Sequence, residues 1–383
     1  MSERLYAADR AACRVDLRAI RANVATLRAA APTAELMAVV KADGYGHGMV
    51  PSALAALAGG ASWLGVAFLD EALTLRAAGI EAPILAWLVG PAEDVSAAVL
   101  ADVDISVSAL WGLDDAIGAA ELTGRPARVH LKVDTGLGRA GATRRDWPAL
   151  VAAAARAHAR GAVDVVGIWS HLAYADAPRH PTVRRQLLAF RAALEVAAEA
   201  GLRPPLRHLA NSAATLAIPE AHFDLVRPGI AVYGLSPGPD VGTESALGLR
   251  PAMTLTASVA LAKRVGADQG VSYGHRYVTE RETTLALVPL GYGDGVPRNA
   301  TNLGEVWLGG RRRRIAGTVC MDQFVVDVGD DPVGAGDEVV IFGPGDAGEP
   351  TAGDWAAALG TINYEIVTRI GARVPRSYTG EVP

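Results

Sequence analysis

Apolar and polar positions change rhythm once along the chain. In the first part, short apolar runs alternate with stretches of helical period; beyond about residue 250, the spacing falls to two. The strand-like runs cover 36–40, 63–67, 83–88, 104–107, 128–133, 163–169, 206–209 and 224–226. Helical segments lie between them over 70–78, 92–100, 109–119, 147–159 and 181–200. Upstream, Asp16 caps a helix over 17–30, with Leu17, Ile20, Val24 and Leu27 on one stripe. Pro51 opens the helix after the first strand, and Gly59-Gly60 closes it. Alternating βα units imply a parallel sheet, and eight of them predict an α/β fold, the (β/α)₈ TIM barrel. The last units carry the weakest pattern, since only a short helix fits between Asn211 and Pro219.

Residues 253–264 alternate with period two, and short strands follow over 283–289, 305–308, 315–319, 323–328 and 338–342, separated by glycine-rich turns. This predicts an antiparallel β domain, closed by helical patches over 352–359 and 364–370. The Pro/Gly stretch 237–242 reads as the linker. The expected domains are therefore a barrel over 10–245 and a C-terminal β domain over 246–383, which the segment 1–9 can join. The run Arg311-Arg312-Arg313-Arg314 follows Gly309-Gly310 and predicts a charged hairpin.

Composition narrows the partners. The chain has 383 residues, half of them hydrophobic, which suffices for two domains with sizeable cores. Its net charge of −5 argues against nucleic acid. The two cysteines, Cys13 and Cys320, read as buried thiols in a reducing compartment. No apolar signal segment and no run of membrane length is present, so a cytoplasmic protein without a membrane partner is expected. The histidines are scattered, and no metal site is expected.

Function in a parallel barrel gathers at the C-terminal strand ends. The first strand runs into Lys41-Ala42-Asp43-Gly44-Tyr45-Gly46-His47-Gly48. A lysine there can be plain surface charge. Its glycine-rich loop and the scarcity of lysine in this chain favour chemistry, namely a Schiff base over a phosphate-binding loop. Other strand ends supply Lys132 and Arg139, Ser170-His171, His208 with Asn211-Ser212, and Arg227-Pro228-Gly229-Ile230. A helix start, a serine hydroxyl and a glycine turn after strands seven and eight make a phosphate site. A lysine across the rim from it would reach the carbonyl of the phosphate-bearing cofactor, which points to pyridoxal 5'-phosphate.

The motifs agree across the whole chain. Val39 to Gly48, Arg227 to Gly234, Val271-Ser272-Tyr273-Gly274, Gly291-Tyr292-Gly293-Asp294-Gly295, Cys320-Met321-Asp322-Gln323, Asn363-Tyr364-Glu365 and Arg373-Val374-Pro375-Arg376 resemble the bacterial alanine racemases, pyridoxal-phosphate enzymes of fold type III. The lysine motif of that family often has alanine where Gly44 stands. The resemblance implies that Lys41 and Tyr273 are two acid/base groups on opposite faces of the substrate's Cα. It implies that His171 polarises Tyr273, that Arg227 faces the cofactor's ring nitrogen and that His208 holds Arg227. Tyr45, Ser212, Gly229, Ile230 and Tyr364 would bind the phosphate, beside Asn211 at the helix start. Arg139 and Met321 would meet the substrate carboxylate, Tyr292 and Asp322 would line the entrance, and a carbamylated Lys132 would steady Arg139.

The same resemblance implies a homodimer with shared sites and D-alanine supply for peptidoglycan. A racemase of another small amino acid such as serine, a decarboxylase of the same fold type, and a non-catalytic cofactor-carrying barrel are the alternatives. The carrier class lacks a β domain with a Tyr273 motif, and Cys320 sits in the racemase pattern rather than that of a decarboxylase.

Overall fold

The computed structural model describes residues 10–91 and 93–380. Packing divides them into two units, one of 20–44 and 49–249, the other of 10–19, 45–48 and 250–380. The described chain opens with strand β1 (Ala11–Asp16), which the sequence reading did not anticipate. The segment 1–9 lies outside the described residues.

The first unit is the barrel. Its strands are β2 (Glu35–Val39), β3 (Trp63–Val66), β4 (Ile84–Ala86), β5 (Val103–Val107), β6 (Ala127–Lys132), β7 (Val163–Trp169), β8 (Leu206–His208) and β9 (Leu225–Val226). They pair in the order β8-β7-β6-β5-β4-β3-β2-β9, every pair parallel. Between β8 and β9, the Asp224 N–H donates to Arg207 O (3.0 Å) and the Arg227 N–H to Ala210 O (2.9 Å). The Arg207 guanidinium also grips the Asp224 carboxylate with two bonds, of 2.6 and 2.8 Å.

These strands lack alternation because helices cover the sheet's outer face while side chains fill its interior. Met37, Trp63, Leu85, Val166, Leu206 and Leu225 form one buried cluster. The helix expected over 92–100 runs from Val95 to Leu100, with the Asp94 carboxylate accepting from Ser96 N–H. Residue 92 lies outside the described residues.

The second unit is built on β10 (Met253–Ser258), β11 (Leu261–Val265), β12 (Gly270–Val271), β13 (Tyr277–Val278), β14 (Thr283–Val288), β15 (Glu305–Leu308), β16 (Arg311–Arg314), β17 (Phe324–Gly329), β18 (Glu338–Phe342) and β19 (Arg376–Thr379). A six-stranded sheet has the order β16-β15-β18-β10-β1-β19, a second is β11-β14-β17, and β12 pairs with β13. All pairs are antiparallel except β1 with β19.

Three sequence expectations change. The sequence reading begins the barrel at residue 10, but β1 pairs with β10 and β19, so residues 10–19 belong with the β unit. The period-two stretch 253–264 is two strands in different sheets. Segment 315–319 contributes a single bridge, Ile315 to Val326, rather than a strand. The arginine run is the second strand of a two-residue hairpin, its turn at Gly309 and Gly310 taking φ of 62° and 79°. Positive φ at both positions is what a type I′ hairpin needs.

Leu85 is fully buried in the barrel cluster. Leu85→Ala is expected to lower unfolding stability by about 2–5 kcal/mol, read as a fall in the urea midpoint. An unchanged midpoint contradicts this account of the core.

Candidate active site

The barrel's polar side chains converge at the C-terminal ends of its strands. Lys41 follows β2 and opens a left-handed turn. Ala42, Asp43, Gly44 and Tyr45 take φ of 53°, 53°, 61° and 53°, and Gly44 N–H donates back to Val40 O at 2.8 Å. Three of these residues carry a Cβ, and each costs about 1–2 kcal/mol in that region. One side chain from outside the turn, Glu71, and one from within it, Asp43, hold it. A Glu71 oxygen accepts from Ala42 N–H at 2.7 Å, while its other oxygen accepts from Ala67 and Phe68 N–H. The Asp43 carboxylate accepts from Met49 N–H at 2.8 Å.

Lys41 lies beside the phosphate candidates rather than across the rim, because β2 pairs with β9 and Val39 N–H donates to Pro228 O. Asn211 caps the helix Ser212–Ala217, its side-chain oxygen accepting from Ala214 N–H. The buried Ser212 Oγ accepts from Gly229 N–H (2.8 Å) and Ala231 N–H (3.3 Å). Ile230 begins the turn that follows. A hydroxyl that accepts two N–H bonds has its own proton to donate, which suits an anionic oxygen.

Arg227 is buried and tightly directed. It donates to Ser170 O (2.8 Å), Leu209 O (3.3 Å) and His208 Nδ1 (3.0 Å), with His171 Nδ1 at 3.5 Å. Burial lowers its pKa to about 9, which leaves it protonated at neutral pH. Two tryptophans that the sequence reading passed over form the floor. Trp169, at the end of β7, stacks on His208 and lies under Lys132 Nζ (4.1 Å) and Arg227 Cζ (4.8 Å). Trp87 lies under Lys41 Nζ at 5.7 Å. Gln186 was also missed; its amide donates to His171 O and Thr135 Oγ1 and accepts from Ala173 N–H.

The rim is short of negative charge. Burial lowers the Lys41 pKa, and Arg139 adds to that against Glu71. Burial, with Arg227 and Arg139, brings Lys132 to about 8. Burial and the same two arginines bring His171 to about 3, so the His171 ring is neutral at neutral pH. Arg139 sits in a loop that the Asp134 carboxylate organises by accepting from the N–H groups of Gly136, Leu137 and Gly138. Four cations so placed suit an anionic ligand. Among the described residues, no group of histidine, cysteine, aspartate or glutamate is arranged to hold a metal.

The β unit gathers the remaining candidates. Tyr45 and Tyr364 have ring centroids 6.2 Å apart, and burial with Tyr364 pushes the Tyr45 hydroxyl pKa up. Tyr273 is 76% exposed and Met321 53% exposed. Tyr292 N–H donates to Cys320 O, and Gly293 N–H to Met321 O. A Cβ on Gly291 would stand 2.3 Å from Cys320 O, which explains the glycine there. Arg373 binds the Asp322 carboxylate at 2.7 Å and the buried Asp294 at 3.3 Å.

Ser272, just before Tyr273, has φ 59° and ψ −171°, a region populated almost only by glycine. Ser272 Oγ donates to Thr318 O at 2.7 Å, and Thr318 Oγ1 donates to Tyr273 O at 2.8 Å. Thr318 thus anchors Tyr273 from another segment. Ser272→Ala and Ser272→Gly both lose the hydroxyl, and only the glycine relieves the strain. Ser272→Gly is therefore expected to be more stable than Ser272→Ala by about 1–3 kcal/mol in chemical denaturation. Equal stability, or a more stable alanine variant, contradicts the strain.

Known proteins match this chain along its length. The model of the alanine racemase N-terminal domain matches residues 15–237, and that of the C-terminal domain matches 252–378. The chain is 68% identical over 364 residues to an alanine racemase of Frankia casuarinae, covering 95% of each. It is 64% identical to an alanine racemase of Salinispora arenicola, covering 97% of this chain and 98% of the relative. It is also similar to the crystal structure of alanine racemase from D-cycloserine-producing Streptomyces lavendulae, with a TM-score of 0.96, 58% identity and 97% of each chain covered. The chain belongs to the alanine racemase family.

Proposed function

We propose that this chain interconverts L-alanine and D-alanine with pyridoxal 5'-phosphate, by proton transfer at both faces of the substrate's Cα. The observation that carries the reading is 68% identity over 95% of the chain to a relative named alanine racemase. The rim supports the cofactor, because Lys41, Lys132, Arg139 and Arg227 crowd positive charge that an anionic group relieves.

Ser212, Asn211, Tyr45, Tyr364 and the backbone of Gly229 and Ile230 would hold the phosphate. Arg227 would face the ring nitrogen, with His208 behind it, and Lys41 would hold the aldehyde end. Pyridoxal 5'-phosphate bound there supplies an electron sink for the negative charge left at Cα. Arg227, being a donor only, keeps that sink weak and limits side reactions at the cofactor.

Lys41 Nζ moves a proton on one face of Cα, and Tyr273 Oη does so on the other. The lowered Lys41 pKa suits such a base. His171, being neutral, polarises Tyr273 by hydrogen bonding. Arg139 and the Met321 N–H hold the substrate carboxylate. Lys132, once carbamylated, steadies Arg139, and Tyr292 and Asp322 line the entrance. The assembly is a homodimer in which one copy contributes Lys41 and the other contributes Tyr273 and Met321. It works in the cytoplasm and supplies D-alanine for peptidoglycan. Among the described residues, no helix is long and apolar enough to cross a membrane.

Incubation with single L-amino acids tests the substrate. L-Alanine is expected to lose its optical rotation; retained rotation with loss from L-serine instead moves the assignment. Tyr273→Phe tests the two faces. α-Proton exchange should fall by about 10²–10⁴-fold from L-alanine and far less from D-alanine. Equal losses from both enantiomers contradict the two-base scheme.

A further inference from the structure

A line of polar side chains crosses the apolar barrel core. Asp104 on β5, His130 on β6, His208 on β8 and Arg227 beyond β9 are each at most 4% exposed. Arg227 Nη1 lies 3.0 Å from His208 Nδ1. His208 Nε2 lies 2.9 Å from His130 Nδ1, and His130 Nε2 lies 3.0 Å from Asp104 Oδ2. At the N-terminal end of the strands, Arg128 closes the line by donating Nε to Asp104 Oδ1 at 2.7 Å, and its guanidinium also approaches the Asp164 carboxylate at 3.6 Å.

The two ends have fixed polarity. A guanidinium only donates, and an ionised carboxylate only accepts. His208 Nδ1 must therefore accept from Arg227, so its proton is on Nε2. That N–H points at His130 Nδ1, which must accept in turn. His130 then carries its proton on Nε2 and donates it to Asp104. No other pair of neutral tautomers satisfies all three contacts. A second proton on either ring would set one N–H against another.

The surroundings preserve this order. Burial, then the Arg227 charge, holds the His208 pKa well below that of ordinary histidine. Burial pushes the Asp104 carboxyl up, but its bonds from His130 and Arg128 outweigh that and keep it ionised. Trp169 stacks flat on His208, and the Trp63 ring meets His130 edge-on. Gly167 leaves room for the contact, since a Cβ there would stand 2.4 Å from His130 Nδ1.

We infer that Asp104 and His130 are positioning residues that lock His208 as the Nε2–H tautomer and so fix the direction of Arg227. The inference rests on the proposed function, in which Arg227 faces the cofactor. With His208 reversed to the Nδ1–H form, Arg227 Nη1 would meet a donor and lose its partner, leaving only Nη2 held by Ser170 O and Leu209 O. Asp104→Asn makes reversal possible, because an amide offers either a carbonyl or an NH₂ to His130.

Imidazole ¹⁵N NMR of the histidine-labelled full-length protein reads the tautomers directly, with His130→Asn and His208→Asn assigning the signals. In the unmodified protein both rings are expected as Nε2–H, with His208 not titrating from about pH 6 to about pH 9. Asp104→Asn is expected to bring a Nδ1–H population or a titration to His208, and to lower kcat roughly tenfold with KM little changed. Either ring as Nδ1–H in the unmodified protein, or His208 titrating in that range, overturns the inference. So does an Asp104→Asn variant with His208 and kcat unchanged. Should that variant fail to fold, the unmodified spectrum decides alone. Absence of alanine racemisation in a protein with both rings as Nε2–H would refute the proposed activity and uphold the lock.

Discussion

A guanidinium donates hydrogen bonds and cannot accept them, and Arg227 imposes that polarity on the barrel. Its donors are taken up by Ser170 O, Leu209 O and His208 Nδ1. The backbone of Arg227 also fastens β9 toward β8 through Ala210 O. One residue thus joins the closure of the barrel to the orientation of the rim. The same buried charge lowers the pKa values of Lys132 and His171, so it tunes its neighbours as well as positioning them.

The two proposed proton carriers share a design. Lys41 leads into a left-handed turn, and Tyr273 follows a serine in a glycine-type conformation. Strained backbone persists only where its surroundings over-determine it. Glu71 and Asp43 do this beside Lys41, and Thr318 does it beside Tyr273. Each holds backbone atoms, so the reacting side chain remains unencumbered. That division suits a site in which a proton must be held at a defined point and still be able to move.

Much of this was legible in the chain. The eight parallel strands announce themselves because burial on both faces leaves apolar runs, and their C-terminal ends indicate where Lys41, Lys132, His171, His208 and Arg227 belong. β1 was not legible; its alternation of buried Cys13 and Val15 with Arg14 and Asp16 spans only six residues before the helix at Leu17, and its partners β10 and β19 lie far along the chain. Sequence order alone sets Lys41 across the rim from Gly229, because it does not reveal that β9 closes on β2. Glu71, Gln186 and Thr318 act on backbone atoms of distant segments and leave no local signature. Asp104 reads as an ordinary charged strand residue until the fold sets His130 beside it.

In the proposed function, everything turns on Arg227 remaining a donor toward pyridoxal 5'-phosphate. Pyridoxal 5'-phosphate labelled with ¹⁵N at the ring, bound to the full-length protein, tests it most directly. An unprotonated ring nitrogen is expected, with a chemical shift that is constant across neutral pH. A pyridinium shift, or titration of that nitrogen near neutrality, would contradict it.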